Sequence, residues 1–168
     1  IRIQTLQETS QIDVNFYKKK YKAASKGNYD IYVVFVEKGL SLLNKNGKLG
    51  FILPHKFFNA KYGEPLRSVI SRGKHLSKIV HFGDQQVFED ATTYTCLMFL
   101  DSVGGNQFEF ERVQNLNTWH ETQETSEISG IIDSGSLTEN EWNFSVGKDA
   151  LLFEKLTKMS IKLGDIVE

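Results

Sequence analysis

The sequence contains very little cysteine and proline, and these shortages exclude several kinds of site. Among its 168 residues there is one cysteine, Cys96, so no disulfide can form within the chain, and no Cys/His cluster has the spacing of a zinc site. The two prolines are Pro54 and Pro65. No apolar run approaches the roughly 18 residues that a membrane-spanning helix requires. We therefore expect no metal and no membrane, and a reducing, cytoplasmic setting.

The first residues lack two features of a complete N-terminus. There is no initiator methionine, and residues 1–10 are too polar for a signal peptide. We therefore expect the chain to be part of a longer protein. Its composition, 40% hydrophobic and 24% charged, is that of an ordinary globular domain with a core.

The net charge of −1 conceals an uneven distribution of charge along the chain. Residues 1–80 contain 15 Lys and Arg against 5 Asp and Glu, whereas residues 81–168 contain 5 against 16. The basic half indicates a face for a polyanion. A solvated basic face is the alternative, which charge alone slightly favours. A third and weaker interpretation makes the acidic half a surface for a protein partner.

Apolar periodicity predicts alternating helices and strands over the first hundred residues. We expect helices at 11–22, 30–44 and 64–72, and strands at 48–53, 76–82 and 92–100. This alternation predicts an α/β domain with a mostly parallel sheet. Only about ten residues separate the second strand from the third, which is too few for a helical crossover, so this pair should be antiparallel.

The pattern changes after Asp101. We predict a strand at 106–113, a polar connector at 114–140, a short strand at 141–146 and an amphipathic helix at 149–159. Glu37, Trp119 and Trp142 are interpreted as structural or left without a role.

Residues 27–54 carry a pattern with a family likeness. The stretch is GNYDIYVVFVEKGLSLLNKNGKLGFILP, in which G-x-Y-D-I-Y-x-x-F-x-E-K precedes L-L and G-x-L-x-F-I-L-P. It resembles the middle of the N6-adenine DNA methyltransferases, above all the TaqI-type enzymes and the fused type IIG restriction–modification proteins. Residues 81–100, HFGDQQVFEDATTYTCLMFL, resemble that family's final β-hairpin. The resemblance covers roughly residues 17–100.

The resemblance implies a partial Rossmann-like class I methyltransferase fold. It would comprise the last three family strands with their helices, the final strand being antiparallel, and a connector. Residues 1–101 would form the C-terminal half of the methyltransferase core, and 102–147 a strand and a polar connector. Residues 148–168 would form a helix leading toward a DNA target-recognition domain.

The activity implied for the whole protein is methyl transfer from S-adenosylmethionine to adenine N6 in a specific DNA sequence, in bacterial restriction–modification or phage defence. The family's catalytic Asn-Pro-Pro-Tyr motif and its glycine-rich cofactor loop are both absent here. The opening IRIQ resembles the segment that follows Asn-Pro-Pro-Tyr, so we expect the motif directly upstream of Ile1. No catalytic residue then lies in this chain, which should be inactive alone. The alternative is a non-catalytic DNA-binding or scaffold protein that retains the fold.

Two phenylalanines receive roles from the resemblance. Phe88 falls where the family stacks a phenylalanine on the flipped adenine of double-stranded DNA. The alternative is a cap on the hairpin's own core. Phe35 matches an aromatic that contacts the adenine ring of the cofactor, whereas periodicity alone favours a core position between helix and sheet.

The strand at 48–53 ends in Pro54 and is followed by a basic, aromatic stretch. We predict that Lys56, Lys61 and Arg67 contact DNA phosphates at the rim of a cleft, and that His55 is a solvated or capping residue rather than a catalytic one. Residues 17–22 interleave tyrosines with lysines. This segment is interpreted either as part of a nucleic-acid groove or as an exposed basic helix.

Overall fold

A mixed sheet of five strands organises the part of the chain that the structure describes. The structure is a computed structural model, and it describes residues 10–89, 93–122, 128–147 and 150. The strands are β1 Lys48–Pro54, β2 Leu76–His81, β3 Thr95–Asp101, β4 Gln107–Arg112 and β5 Ser129–Asp133. Their order across the sheet is β1-β3-β2-β4-β5.

The third strand is inserted between the first two and runs antiparallel to both. The predicted antiparallel pairing of β2 and β3 is therefore confirmed. Strand β4 runs parallel to β2, and β5 runs antiparallel to β4. The sheet is thus mixed. The described residues between β2 and β3 contain no helix, and α4, between β4 and β5, has only seven residues, whereas a parallel return needs a crossover of about a dozen residues or more. Since β1, β2 and β4 share one direction, their carboxyl ends at Pro54, His81 and Arg112 meet at one edge, called here the carboxyl edge.

Four helices accompany the sheet in the described residues: α1 Gln11–Lys20, α2 Tyr32–Leu42, α3 Glu64–Arg72 and α4 Leu116–Thr122. The bounds of α3 are those predicted, and Pro65 occupies its first turn, where the missing N–H is not needed. Helices α1 and α2 are shorter than predicted. Ser10 caps α1, since its hydroxyl accepts the backbone N–H of Asp13 at 3.2 Å.

The main core lies between α2, α3 and one face of the sheet. Its fully buried members include Val33, Val36, Leu66, Ile70, Ile79, Met98 and Leu100. Helix α2 packs closely on β1 at Gly39, where a Cβ would come within 2.8 Å of a Leu49 methyl carbon. Each such buried aliphatic side chain contributes about 1.5–3 kcal/mol relative to exposure.

A smaller apolar cluster occupies the opposite face of the sheet near the carboxyl edge. Its buried members are Val80, Phe82 and Val113, against which Val87, Leu97, Leu116 and Trp119 pack. Trp119 also donates its indole N–H to Glu111 at 3.0 Å. The segment predicted as a polar connector thus contains α4, which covers this cluster, and β5, which extends the sheet.

The strand predicted at 141–146 is wrong, although its apolar pattern has a structural cause. Trp142 and Val146 are buried, but the segment has no partner strand among the described residues. The backbone N–H of Trp142 instead donates to the carbonyl of Phe58 at 2.9 Å. The apolar residues of 141–146 therefore arise because their side chains pack on the core, although the backbone of this segment is irregular. The helix predicted at 149–159 lies outside the described residues, apart from Ala150.

The expectations about membrane spans and metal sites can be compared with the described residues only. No helix in this part of the chain is long and apolar enough to cross a membrane. No group of three or more His, Cys, Asp or Glu side chains within it could hold a metal ion.

Glu37 provides a test of how the segment after α1 is fixed. Its carboxylate accepts the backbone N–H groups of Ala23 at 2.7 Å and Lys22 at 3.2 Å. We expect Glu37→Gln to lower the free energy of unfolding by about 1–3 kcal/mol, because one N–H then faces an amide donor. Urea denaturation measures the loss, and amide hydrogen exchange should accelerate at residues 22–23. An equal loss in Glu139→Gln, a change at an exposed carboxylate, would contradict this assignment.

Candidate functional site at the carboxyl edge

The chain leaves β1 through two tight 3₁₀ turns, His55–Phe58 and Lys61–Gly63, which together form the edge loop (residues 55–63). Phe57 and Phe58 point into the core, and Phe58 packs against Trp142 with ring centroids 5.8 Å apart. Lys56 and Lys61 are exposed. The aromatic and basic residues after Pro54 therefore have different roles. The two phenylalanine rings anchor the loop to the core, and the two lysines carry positive charge on its exposed surface.

Arg67 fixes the edge loop from beneath. The residue is 3% exposed, and its guanidinium donates to the carbonyls of Phe57, of Ala60 at 2.9 Å and of Glu139 at 2.9 Å. Gly63 is required at this point, because a Cβ there would overlap the Phe57 carbonyl oxygen and come within 2.8 Å of Arg67 Nη1. The predicted phosphate contact of Arg67 is thus corrected to a structural role, since its donors are used on backbone carbonyls.

The role of Arg67 can be tested with a substitution that keeps the charge. Lysine offers no planar fork for three carbonyls, so Arg67→Lys should lower the free energy of unfolding by at least about 2 kcal/mol. Arg72→Lys on the same helix is the control, since Arg72 is exposed. That control should change stability by less than about 0.5 kcal/mol. Similar losses for both variants, measured by urea denaturation, would refute the anchoring role.

Two histidines face each other where β1 and β2 end. The rings of His55 and His81 have centroids 4.2 Å apart. The backbone N–H of Gly83 donates to His81 Nδ1 at 3.0 Å, which requires that nitrogen to be unprotonated. Burial, then the neighbouring His55 and Arg112, lower the pKa of His81 to about 4. Burial also lowers the pKa of His55, so this pair is neutral at pH 7. His55 is thus a packed residue rather than a solvated one.

The depressed pKa of His81 predicts acid sensitivity. Because the pKa is lower in the folded state than the ordinary 6.5, the unfolded state takes up the proton first as pH falls. Stability should be full above pH 6.5 and decline toward pH 4, by at most about 1.4 kcal/mol per pH unit for one proton. His81→Asn should flatten this dependence in urea titrations, whereas His120→Asn, at an exposed site, should not. An unchanged slope in His81→Asn would rule out this residue as the cause.

The segment after β2 carries Phe88 and is held by Gln85. The Gln85 side chain donates to the carbonyls of Phe82 at 3.2 Å and Val113 at 2.7 Å, and it accepts the N–H of Leu116 at 2.6 Å. Val87 packs into the smaller cluster, whereas the half-buried Phe88 belongs to neither core cluster. Gln85 was missed from the sequence, because glutamine in a loop has no pattern that indicates three backbone contacts.

Phe35, the second aromatic with a predicted role, lies in the first turn of α2. It is 58% exposed, although its neighbours Val34 and Val36 are buried. The alternative of a core position for Phe35 is therefore wrong, and its ring is open to a ligand. Tyr32 precedes it by one turn and contacts Phe57 of the edge loop, with ring centroids 6.1 Å apart. Helix α2 thus begins at the carboxyl edge.

The basic segment at residues 17–22 lies at the surface. Lys18, Lys19 and Lys20 are exposed, and Lys20 Nζ lies 5.0 Å from the centroid of the exposed Phe16 ring. The three lysines thus form the exposed end of α1, while Tyr17 and Tyr21 are partly buried against the core. Their exposure is compatible with both predicted roles of the segment.

Two solved structures, of a restriction endonuclease and of a methyltransferase, share the fold of this chain. The type IIG restriction endonuclease BpuSI aligns with a TM-score of 0.52 and 11% identity, over 66% of this chain and 14% of that protein. A putative class I S-adenosylmethionine-dependent methyltransferase from Listeria monocytogenes aligns with a TM-score of 0.52 and 16% identity, over 66% of this chain and 35% of that one. At these identities the structures establish the fold alone, which is that of a partial class I methyltransferase.

The sequence itself gives the family. Residues 1–88 match the Eco57I restriction-modification methylase family, and the chain belongs to that family. The type II restriction enzyme and methyltransferase RM.Eco57I of Escherichia coli is 36% identical over 155 residues, 92% of this chain but 15% of the enzyme. The type II methyltransferase M.PaeR7I of Pseudomonas aeruginosa is 32% identical over 90 residues, 53% of this chain and 16% of that enzyme. The chain thus spans about a sixth of these relatives, and the predicted restriction–modification likeness is confirmed.

Proposed function

We propose that this chain is part of a longer bacterial protein that transfers a methyl group from S-adenosylmethionine to adenine N6 in a specific sequence of double-stranded DNA, within restriction–modification or phage defence. Membership of the Eco57I family supports a methyltransferase parent. The single observation that carries the proposal for this chain is that Lys56 and Lys61 are exposed on the loop that follows β1, while Phe88 lies on the segment that follows β2 and Phe35 is exposed in the first turn of α2. In open α/β sheets, ligands bind outside the carboxyl ends of the strands.

The chain's own contribution is to bind and orient rather than to catalyse. The exocyclic amine of adenine is a weak nucleophile, because its lone pair is delocalised into the ring. Catalysis therefore needs acceptors for the amine hydrogens and an in-line methyl donor. We assign the acceptors to an Asn-Pro-Pro-Tyr motif upstream of Ile1. The isolated chain is accordingly inactive, and methyl transfer by it alone would contradict this division of roles.

Phe88 stacks on the adenine after the base leaves the duplex. A base must be extruded before its exocyclic amine can react, and it then needs a flat apolar surface to hold it. Gln85 and Val87 hold the backbone on which Phe88 lies. A half-buried ring on such a fixed segment can accept a base without the cost of ordering a mobile loop.

Phe35 fits the adenine ring of the cofactor. Its exposed ring offers an apolar surface to the adenine of S-adenosylmethionine, which, when bound, supplies the electrophilic methyl group. The remaining cofactor contacts would come from a glycine-rich loop elsewhere in the protein.

Lys56 and Lys61 contact phosphates of the DNA backbone, and such contacts position the DNA without selecting its sequence. Residues 148–168 lead toward a DNA target-recognition domain.

Replacing Phe88 tests the stacking role. In the full-length protein, Phe88→Ala should lower the rate of methyl transfer by about 5- to 150-fold, because base–aromatic stacking contributes about 1–3 kcal/mol. DNA affinity should change little, since phosphate contacts dominate it. The assay is incorporation of a labelled methyl group into DNA, together with fluorescence anisotropy for binding.

The matched control is Phe99→Ala. Phe99 is exposed and lies near the end of β3 that is away from the carboxyl edge. This variant should keep the rate of the folded protein close to normal. Unchanged turnover in Phe88→Ala would count against stacking. DNA binding by the unmodified protein without methyl transfer would favour a scaffold that retains the fold.

A further inference from the structure

Three polar side chains form a hydrogen-bonded network between the edge loop and the residues around the start of α2. Tyr62 donates its hydroxyl proton to Asp30 Oδ2 at 3.0 Å, and the hydroxyl oxygens of Tyr32 and Tyr62 are 2.9 Å apart. Because Tyr62 has one hydroxyl proton and gives it to Asp30, Tyr32 must be the donor to Tyr62. The network therefore begins at Tyr32, passes through Tyr62 and ends on a carboxylate.

The network joins two segments that the proposed function uses separately. Tyr32 is the first residue of α2 and Asp30 precedes the helix by two residues, whereas Tyr62 lies in the edge loop directly after Lys61. Tyr32 is almost buried, and burial is the main cause that raises the pKa of both phenols. Both hydroxyls thus stay protonated near neutral pH. A buried hydroxyl that lost its partner would carry a desolvation cost of about 1–3 kcal/mol, which favours the closed network.

We propose that Asp30, Tyr62 and Tyr32 are positioning residues that fix the edge loop to the start of α2 and thereby hold Lys61 against a DNA phosphate. This inference rests on the proposed function, because it needs DNA at the carboxyl edge. Lys56 has a different anchor, since Arg67 holds the carbonyls of Phe57 and Ala60. Lys61 thus follows a carbonyl held by Arg67 and precedes the networked Tyr62, whereas Lys56 precedes only a carbonyl held by Arg67. Breaking the tyrosine network should therefore affect Lys61 and leave the anchor beside Lys56 in place.

The test is the salt dependence of DNA binding by the full-length protein. Each phosphate contact contributes about 0.9 to the slope of log K against log salt concentration. With a fluorescently labelled duplex of arbitrary sequence, Lys61→Ala should reduce that slope by about 0.9. Tyr62→Phe removes one oxygen atom and should produce at least half of the same reduction. The double variant should show no greater reduction than Lys61→Ala alone.

This readout separates positioning from general stability. A purely structural defect lowers the fraction of folded protein, but it leaves the salt slope of the folded molecules unchanged. Combining Tyr62→Phe with Lys56→Ala should give additive reductions, because the carbonyl after Lys56 is held by Arg67 and not by the tyrosine network. Tyr29→Phe is the matched control, since its buried hydroxyl has no hydrogen-bond partner among the described residues. It should leave the slope unaltered.

The outcomes distinguish the positioning role of the tyrosine network from the phosphate contact of Lys61. If Tyr62→Phe does not fold, Tyr32→Phe breaks the same network at its outer bond and should reduce the slope in the same direction. If Lys61→Ala reduces the slope and neither tyrosine variant does, the positioning role is overturned while the phosphate contact stands. If Lys61→Ala has no effect on the slope, the phosphate contact fails, and the positioning role fails with it.

Discussion

The geometry of the carboxyl edge depends on one buried guanidinium. Arg67 donates to carbonyls of the edge loop and to the carbonyl of Glu139, far along the chain. It therefore fixes the turn after β1 and ties it to the segment that carries Trp142. A buried cation is costly unless its donors are satisfied, and the tight turns of the edge loop point their carbonyls at it. The absence of a side chain at Gly63 leaves the space for this arrangement.

Around that anchor, the carboxyl edge combines rigid support with an open surface. Aromatic rings from the edge loop and from residues 142–144 pack below it, while Lys56 and Lys61 face outward. Gln85 supports the neighbouring segment with its three backbone hydrogen bonds. Binding sites keep their affinity when such groups are ordered before the ligand arrives. The proposed roles of Phe35 and Phe88 follow from their places on these fixed elements.

The sequence predicts the elements better than it predicts what their side chains contact. Helix α3 agrees with its predicted bounds, because an amphipathic stripe and Pro65 at its start leave few alternatives. The antiparallel β2–β3 pair follows from the short connection between the strands. Strand β5 was missed since its Ser-Gly-Ile-Ile-Asp sequence is short and carries no clear alternation.

The wrong phosphate role for Arg67 and the wrong core alternative for Phe35 both concern long-range contacts and burial. Arg67 has the charge expected of a phosphate ligand, but its burial depends on carbonyls that lie elsewhere in the chain. The apolar residues of α2 surround most of the helix, which predicts that Phe35 is buried. In the structure the face of α2 that includes Val36 is buried, whereas Phe35 is exposed to solvent. Neither fact can be obtained from local periodicity, which reports the faces of a helix and not which of them has a neighbour.

The central claim is that the full-length protein methylates adenine at N6. The most direct measurement is to incubate it with DNA and S-adenosylmethionine carrying a labelled methyl group, digest the DNA to nucleosides, and separate them by chromatography. The account predicts that the label co-elutes with N6-methyl-2′-deoxyadenosine. Label on cytosine would contradict the proposed substrate, and DNA binding without any labelled nucleoside would contradict the proposed activity.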